Sequence, residues 1–373
     1  MARSLIPVPI AQLPWQVILP LTALTCFGAT VLYSAAGGNF SAYAASHLTR
    51  FAMFMAMALV IRCFPKEIVR WAAFPAYAGV VLLLMGVEAL GAIGGGSQRW
   101  LNLGPLVLQP SELMKPTVVL VLASFYNALP AGEIGGWRSI VPAAGLIAVP
   151  AGLVIIQPDL GTALAICFGG ACMIFLAGLP MRWFVGGGLA VAVIAPLAFF
   201  FGLHDYQRNR VLVFLDPESD PLGTGYHITQ SKIAIGSGGI FGKGFGNGSQ
   251  SHLNYLPEAH TDFVFATMSE EWGLVGGLAV LLVFGIVMRW GLGVARRAPD
   301  RFSQLLAAGM TATIFFYVMI NLMMVTGLAP VVGIPLPFMS HGGSSMMTNM
   351  ICVGTIMMVD RWTMQGGSAN SFS

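Results

Sequence analysis

HDYQRNRVLVFLDPESDPLGTGYHITQSKIAIGSGGIFGKGFGNGSQSHLNYLPEAHTDF, residues 204–263, is the one long polar segment of an otherwise oily chain. It carries Asp205, Asp216, Glu218, Asp220, Glu258 and Asp262 together with Arg208, Arg210, Lys232 and Lys243. Apolar runs flank it on both sides, near 182–203 and from 263 onward. A connection of roughly 60 residues between apolar spans is far longer than joining them requires, and loops of that size carry function.

The composition says what kind of protein surrounds it. Of 373 residues, 56% are hydrophobic and 9% charged, with a mean hydropathy of +0.78. Soluble domains carry about 25% charged residues, so this chain reads as a polytopic membrane protein. A net charge of +3 from scattered basic residues gives no nucleic-acid footprint. The five cysteines, Cys26, Cys63, Cys167, Cys172 and Cys352, fall in or beside apolar runs and read as small buried hydrophobes, not a disulfide framework.

Runs of about 18–23 apolar residues suit a bilayer core. They lie near 15–35, 46–63, 71–93, 111–129, 138–157, 160–178, 182–203, 263–288, 304–327 and 343–362. Gln157-Pro158-Asp159 divides two of them: proline turns its predecessor away from helix, and Asp159 can cap the helix that follows. The first run is too long for a signal-peptide core and reads as an uncleaved span. The expected fold is all-α, a polytopic integral membrane protein with about ten transmembrane helices. One long extracytoplasmic loop, 204–262, lies between spans seven and eight.

Lys and Arg set the orientation. One set of loops holds Arg3, Arg62, Lys66, Arg70, Arg138, Arg182, Arg289, Arg296, Arg297, Arg301 and Arg361; the opposite short loops and span ends hold Arg50, Arg99 and Lys115. This places both termini in the cytoplasm and the long loop outside. Trp15, Trp71, Trp137, Trp183, Trp290 and Trp362 fall at the cytoplasmic ends, as an interfacial belt would.

The remaining polar features gather at the outer boundary. Gln109-Pro110-Ser111-Glu112 opens the fourth span, with Lys115 one turn inside; Asp159 opens the sixth, Asp262 the eighth, and Pro335 to Ser345 the tenth. Helix N-termini present free N–H groups and positive dipole ends. With Arg99, Arg208, Arg210, Lys115, Lys232 and Lys243 they suit an anion such as a phosphate. Glu112, Asp159, Glu258 and Ser344 complete the candidate substrate-binding set. Each cap also has a bland alternative, that it merely starts a helix; for Asp262 this is an N-cap role. An ionisable Lys115 inside a span calls for a partner, and Glu112 is the simplest one. Glu270 and Glu271, within the eighth span, read as facing other helices or buried water. His227, His252, His260 and His341 show no metal-ligand spacing. The glycines from Gly236 to Gly246 read as tight turns more than as a phosphate cradle.

Five segments carry a resemblance: Gln109 to Glu112, Gln157 to Thr162, Asp216-Pro217 through Gly239, Leu256 to Phe263, and Pro335 to Ser345. With them the chain resembles the SEDS family of shape, elongation, division and sporulation proteins over nearly its whole length. The run Asp216 to His227 is closer to the elongation branch than to the division branch. The resemblance implies one membrane domain, 1–373, in the cytoplasmic (inner) membrane. It implies a peptidoglycan glycosyltransferase that polymerises lipid II, a disaccharide-pentapeptide on an undecaprenyl pyrophosphate carrier, during elongation and rod-shape maintenance. Its partners would be lipid II, the nascent glycan strand, membrane lipids and a class B penicillin-binding protein, with no nucleic acid. The family's essential carboxylate falls on Asp262.

The residues fit that chemistry. A sugar hydroxyl attacking an anomeric carbon needs a carboxylate base to take its proton. Pyrophosphate leaves as an anion, so no protonated acid is required, in contrast to glycoside hydrolysis. Positive charge from Lys, Arg, helix N-termini or a bound cation stabilises the leaving group. No cofactor is assigned; a divalent cation is one way to supply that charge, and its ligands are not specified. A single base with direct displacement inverts the anomeric centre. A lipid II flippase, or a non-catalytic scaffold for a penicillin-binding protein, are the alternatives. A transporter would show inverted repeats and a midplane site, whereas these polar groups sit at one boundary. Gly186, Gly187 and Gly188 in the seventh span and Gly273, Gly276 and Gly277 in the eighth are faces a partner helix could approach.

Overall fold

The computed structural model describes residues 13–90, 92–94, 97–102, 107–201, 205–216, 220, 223–253, 255–256 and 258–369. Each of the ten apolar runs lies on a helix. These are α1 (Trp15–Ala35), α2 (Ala44–Ile61), α3 (Lys66–Leu90), α4 (Pro110–Ala128), α5 (Trp137–Ile156), α6 (Leu160–Leu176) and α7 (Met181–Phe201). After the polar segment, which forms α8 (Asp205–Leu215), α9 (Thr224–Ser237) and α10 (Ser249–His252), come α11 (Val264–Arg297), α12 (Arg301–Val325) and α13 (Gly343–Ala369). Among the described residues six helices are long and apolar enough to cross a membrane, and α6 and the first part of α7 are shorter apolar helices. A 21-residue helix such as α1 is roughly 32 Å long, the thickness of a hydrocarbon core. The chain is a multi-pass membrane protein.

The centre of the bundle is α12, which packs against α4, α6, α11 and α13. It buries Phe302, Leu306, Ile314, Tyr317 and Met324 on several faces, as a helix that is apolar all round must. Outer helices differ: Leu82, Val141, Leu189, Val193 and Leu197 on α3, α5 and α7 point outward, as side chains meeting lipid would. Tight crossings use small residues. A Cβ on Gly28 of α1 would stand 2.7 Å from the Met339 backbone, and one on Gly161 of α6 would stand 2.8 Å from the Val332 carbonyl.

Two features were not legible as apolar runs. A small antiparallel sheet, β1 (Ala92–Gly94), β2 (Ser97–Asn102) and β3 (Val107–Leu108), joins α3 to α4. The polar segment, read as a loop, contains three helices. Of these α9 packs on α11 and α12, with Ile228, Ser231 and Ala234 buried at three-residue spacing. Ser231 Oγ donates at 2.7 Å to the carbonyl of Val325, the last residue of α12, which has no partner within its own helix.

The eighth apolar run is a broken helix. Gly273 has φ 62° and ψ −160°, which interrupts α11. A regular helix would bond the N–H groups of Leu274 and Val275 to the carbonyls of Glu270 and Glu271. Here the glycine-rich stretch inserts instead. Lys243 N–H donates to Glu270 O and Gly244 N–H to Glu271 O, both at 3.0 Å. Leu274 N–H donates to Gly239 O at 2.9 Å and Val275 N–H to Ile240 O at 3.1 Å. Away from water each unmade bond costs several kcal/mol, so non-helical backbone at this depth requires such replacement. The turn reading of the glycines fits their geometry, since Gly239, Gly242, Gly244 and Gly246 all have positive φ.

Candidate functional site

Asp262 stands one residue before the N-cap of α11, which is Phe263, and that cap carries no side-chain hydrogen bond. Asp262 itself lies in the turn that leads into α11. Its backbone is held elsewhere: the buried Asn321 of α12 donates from Nδ2 at 2.8 Å to Asp262 O and at 2.8 Å to Ile334 O. That pair of bonds ties the start of α11 to the irregular, buried segment before α13. Gly333 of this segment has φ 71°, and a Cβ there would stand 3.5 Å from Asp262 Oδ2. The neighbouring Val332 carbonyl abuts Gly161 at the start of α6. Asp262 and the N-terminus of α6 thus meet through two adjacent residues.

At that N-terminus Asp159 accepts from Thr162 N–H at 3.1 Å, a side-chain cap worth about 1 kcal/mol. Asp159 also accepts from Gln109 Nε2 at 3.2 Å, joining the starts of α4 and α6. Deeper along α4, Lys115 Nζ lies 2.5 Å from Glu112 Oε1 and 2.5 Å from the Tyr317 hydroxyl, which itself donates to the other Glu112 oxygen. All three are buried. Buried charge is tolerated only when paired and hydrogen-bonded, and this triad meets both conditions. Tyr317 is one helical turn from Asn321, so one face of α12 touches both the triad and the Asp262 backbone.

On the other side of Asp262 lies an aromatic and basic cluster. His260 stacks on Tyr43, with ring centroids 4.1 Å apart and planes 11° apart. The His260 carbonyl accepts from His341 N–H at 2.9 Å. His341 Nε2 is 2.9 Å from Ser46 Oγ and 3.2 Å from Arg50 Nη1. Guanidinium only donates, so Nε2 is the acceptor and His341 is neutral. Burial, then the nearby Arg50 and His260, lowers its pKa to about 4. The Arg50 guanidinium carbon would lie 3.7 Å from a Cβ on Gly343, the first residue of α13. Among the described residues no carboxylate pairs with Arg50. Ser344 and Ser345 follow in the first turn of α13, where free N–H groups and the positive dipole end are. Arg50 thus stands at the N-terminal end of α13, a place whose charge and free N–H groups suit an anion. Glu258 and Phe338 flank the region with positive φ, 52° and 62°, a conformation non-glycine residues adopt mainly where function or packing demands it.

Of the other candidates, Lys243, Arg208 and Lys232 lie apart from this site, whereas Glu258 adjoins Asp262, its carbonyl accepting from Phe263 N–H at 3.3 Å. Lys243 is 2.6 Å from the buried Glu270 at the break in α11 and neutralises it. Ser249 Oγ and Gln250 N–H also donate to Glu270, and Ser34 Oγ donates to Glu271. These carboxylates hold helices together. Arg208 donates to the carbonyls of Phe199 and Phe200 at 3.1 and 2.9 Å, closing the end of α7. Lys232 is exposed and lies against Gly327. Glu258 is exposed and accepts from Thr261 Oγ1 at 2.6 Å. The side chains of Arg99 and Arg210 lie outside the described residues. Among those described, no three His, Cys, Asp or Glu side chains cluster to hold a metal ion.

Arg50, Tyr43, Asn321 and Tyr317 were not singled out as site residues in the sequence. The available signal for Arg50 was its place with the outer-face cations near a Gly/Ser-rich helix start. Gly273 and Gly276 have packing roles within the chain. The first forms the break in α11, and a Cβ on the second would stand 2.4 Å from that of Trp272. Gly186, Gly187 and Gly188 have open space around them.

The chain is similar to known proteins over most of its length. Peptidoglycan glycosyltransferase MrdB of Escherichia coli is 42% identical over 351 residues, 92% of each chain. Stage V sporulation protein E of Bacillus subtilis is 39% identical over 286 residues, 76% of each. A solved chain from a study described as structural coordination of polymerization and crosslinking by a peptidoglycan synthase complex superposes with a TM-score of 0.82 at 30% identity. That match covers 95% of this chain and 99% of the other. The rod shape determining protein RodA of Thermus thermophilus superposes with a TM-score of 0.70 at 27% identity, covering 94% and 97%. The cell cycle protein family model that groups FtsW, RodA and SpoVE matches residues 13–365, and the chain belongs to that family.

Proposed function

We infer that this chain is a peptidoglycan glycosyltransferase of cell-wall elongation and that Asp262 is its general base. The activity class rests on the Escherichia coli relative, named for that activity and alike across almost the whole chain. The role of Asp262 rests on its setting: a carboxylate at the start of α11, positioned through its own backbone by Asn321, with Gly333 leaving room beside Oδ2.

In the reaction an acceptor sugar hydroxyl gives its proton to Asp262 as its oxygen bonds to the anomeric carbon of the lipid-linked donor. The bond from that carbon to the diphosphate oxygen breaks, and the electron pair leaves with undecaprenyl pyrophosphate. Arg50, with its planar set of donors, and the N-terminus of α13 with Ser344 stabilise the departing charge. Direct displacement turns an α-linked donor into a β-linked glycan. Lys115, Glu112 and Asp159 support the site from α4 and α6.

The test is Asp262→Asn. Asparagine fills the same volume but cannot accept the proton, so polymerisation of lipid II by purified protein falls by roughly 10²–10⁴-fold while lipid II binding and melting temperature persist. Near-normal glycan synthesis by that variant removes the general base. Failure of wild-type protein to polymerise, with lipid II movement across vesicles instead, would favour the flippase.

Ten spans in a single domain, both termini cytoplasmic and 204–262 outside, complete the proposal. Its support is the ten helices and the Lys/Arg partition. A class B penicillin-binding protein is the proposed partner, supported by the synthase complex that contains the solved relative.

A further inference from the structure

At the end of the molecule opposite Asp262, the C-terminal part of α11 and the start of α12 border two adjoining hollows. One, of about 470 Å³, is apolar and is walled by Phe168, Phe175, Phe184 and Phe315 from α6, α7 and α12. The other, of about 650 Å³, includes Arg296, Arg301 and Gln304. Leu176, Leu292 and Ala308 line both, so they form one groove, basic at its outer end and oily along its length.

The two arginines differ. Arg301 donates to Ala177 O at 2.9 Å and Leu129 O at 3.5 Å, engaging the ends of α6 and α4. A guanidinium has five N–H donors, so others remain. Arg296 is exposed, and among the described residues it forms no ion pair. Neighbouring Arg297 is paired with Asp360 at 3.5 Å. Among the described residues neither Arg296 nor Arg301 forms an ion pair with a carboxylate, so two positive charges mark the basic end.

We propose that this groove binds one anionic glycerophospholipid of the cytoplasmic leaflet, its phosphate on Arg296 and Arg301 and an acyl chain along the phenylalanines. Charge complementarity chooses the occupant. A zwitterionic headgroup brings no net charge, whereas basic pockets between spans on the cytoplasmic side suit anionic headgroups. The polyprenyl diphosphate of the reaction is a poor fit, because its chemistry takes place at Asp262. That residue precedes α11, and the basic end lies at the far end of this 34-residue helix, roughly 50 Å along its path. The lipid would also fill the space where α7 stands off from α12.

Full-length protein is reconstituted in nanodiscs of phosphatidylcholine with a small share of phosphatidylglycerol, then analysed by native mass spectrometry. The expected result is one retained phosphatidylglycerol, displaced neither by phosphatidylcholine nor by inorganic phosphate. Arg296→Gln weakens retention about fivefold, the effect of one interfacial cation. Ala308→Trp, at the junction of the two hollows, weakens it with all charges kept. Equal retention of neutral and anionic lipid overturns the proposal, as do full competition by inorganic phosphate and unchanged retention in both variants. Lipid II polymerisation is measured on the same samples, so that loss of this site is separable from loss of the catalytic reading.

Discussion

Asn321 holds Asp262 by its carbonyl, with the side-chain amide donating at 2.8 Å to that oxygen and at 2.8 Å to Ile334 O. One buried amide therefore ties Asp262, the proposed base, just before α11 to the segment that carries Gly333. Asn321→Leu keeps the branched outline of the side chain and removes both bonds to the Asp262 and Ile334 carbonyls. Stability falls by about 2 kcal/mol or more. A displacement of the base by as little as 1 Å costs about 10²-fold in rate, so activity per folded molecule falls too. Thermal melts and lipid II polymerisation on the same preparation check this. A variant that melts early but polymerises normally well below its melting temperature would make Asn321 purely structural.

The break in α11 makes a second prediction. A Cβ on Gly242 would stand 2.0 Å from Glu271 O at a φ of 80°, whereas one on Gly236, in α9, meets nothing within 4 Å. Gly242→Ala should remove well-folded protein from the membrane fraction or lower its melting temperature sharply. Gly236→Ala should be neutral or stabilising by up to about 1 kcal/mol, the helix-propensity difference. Fluorescence-detected size exclusion and melting curves distinguish them; equal behaviour would mean that the glycine stretch does not close on the broken helix.

The part of the site that sequence revealed is the part made by near neighbours. Asp159 caps Thr162 three residues on, and Lys115 meets Glu112 three residues back. Both follow from helical spacing alone. Arg50 and His341 are 291 residues apart, and Asn321 and Asp262 are 59 apart. Their meeting depends on how α2, α12 and the segment before α13 pack, which apolar patterning does not encode. For the same reason Lys243 read as a free outer cation: its partner Glu270 is brought to it only by the break at Gly273. The apolar helices were legible because a bilayer core favours apolar runs of this length. The order within 204–262 was not, because α9 gains its helical packing from contact with α11 and α12.

His341 makes stability depend on pH. Its folded pKa is about 4, against an ordinary value near 6.5. Between those values the unfolded chain binds a proton that the folded chain does not, so stability is complete above about pH 6.5 and declines as pH falls toward 4. His227 acts in the same direction, with burial lowering its pKa against the opposing pull of Glu258 and Asp220. Melting temperatures in one detergent at pH 7.5 and pH 5 should show the decline, and His341→Gln should reduce it while His227 preserves a remainder. An identical decline in that variant would show that the histidine is not buried beside Arg50.

Substitutions at Arg50 test the proposed anion site independently of the proposed base. Its guanidinium lies between His341 Nε2 and the first residue of α13. A structural arginine in that place would tolerate lysine poorly and glutamine worse, with melting temperature following activity. A leaving-group ligand behaves differently, because it acts mainly on the transition state, where charge grows on the departing diphosphate. Arg50→Gln should lower kcat by about 10²-fold, the scale of losing one such donor. Arg50→Lys should recover part of that, since the charge returns without the planar pair of donors. Melting temperature should change little in either, because the arginine ion-pairs with no carboxylate among the described residues. The decisive comparison is steady-state polymerisation of the two variants at saturating lipid II, alongside their melting curves. If glutamine and lysine lose equal activity and equal stability, Arg50 supports packing of α2 against α13 and the diphosphate is held elsewhere.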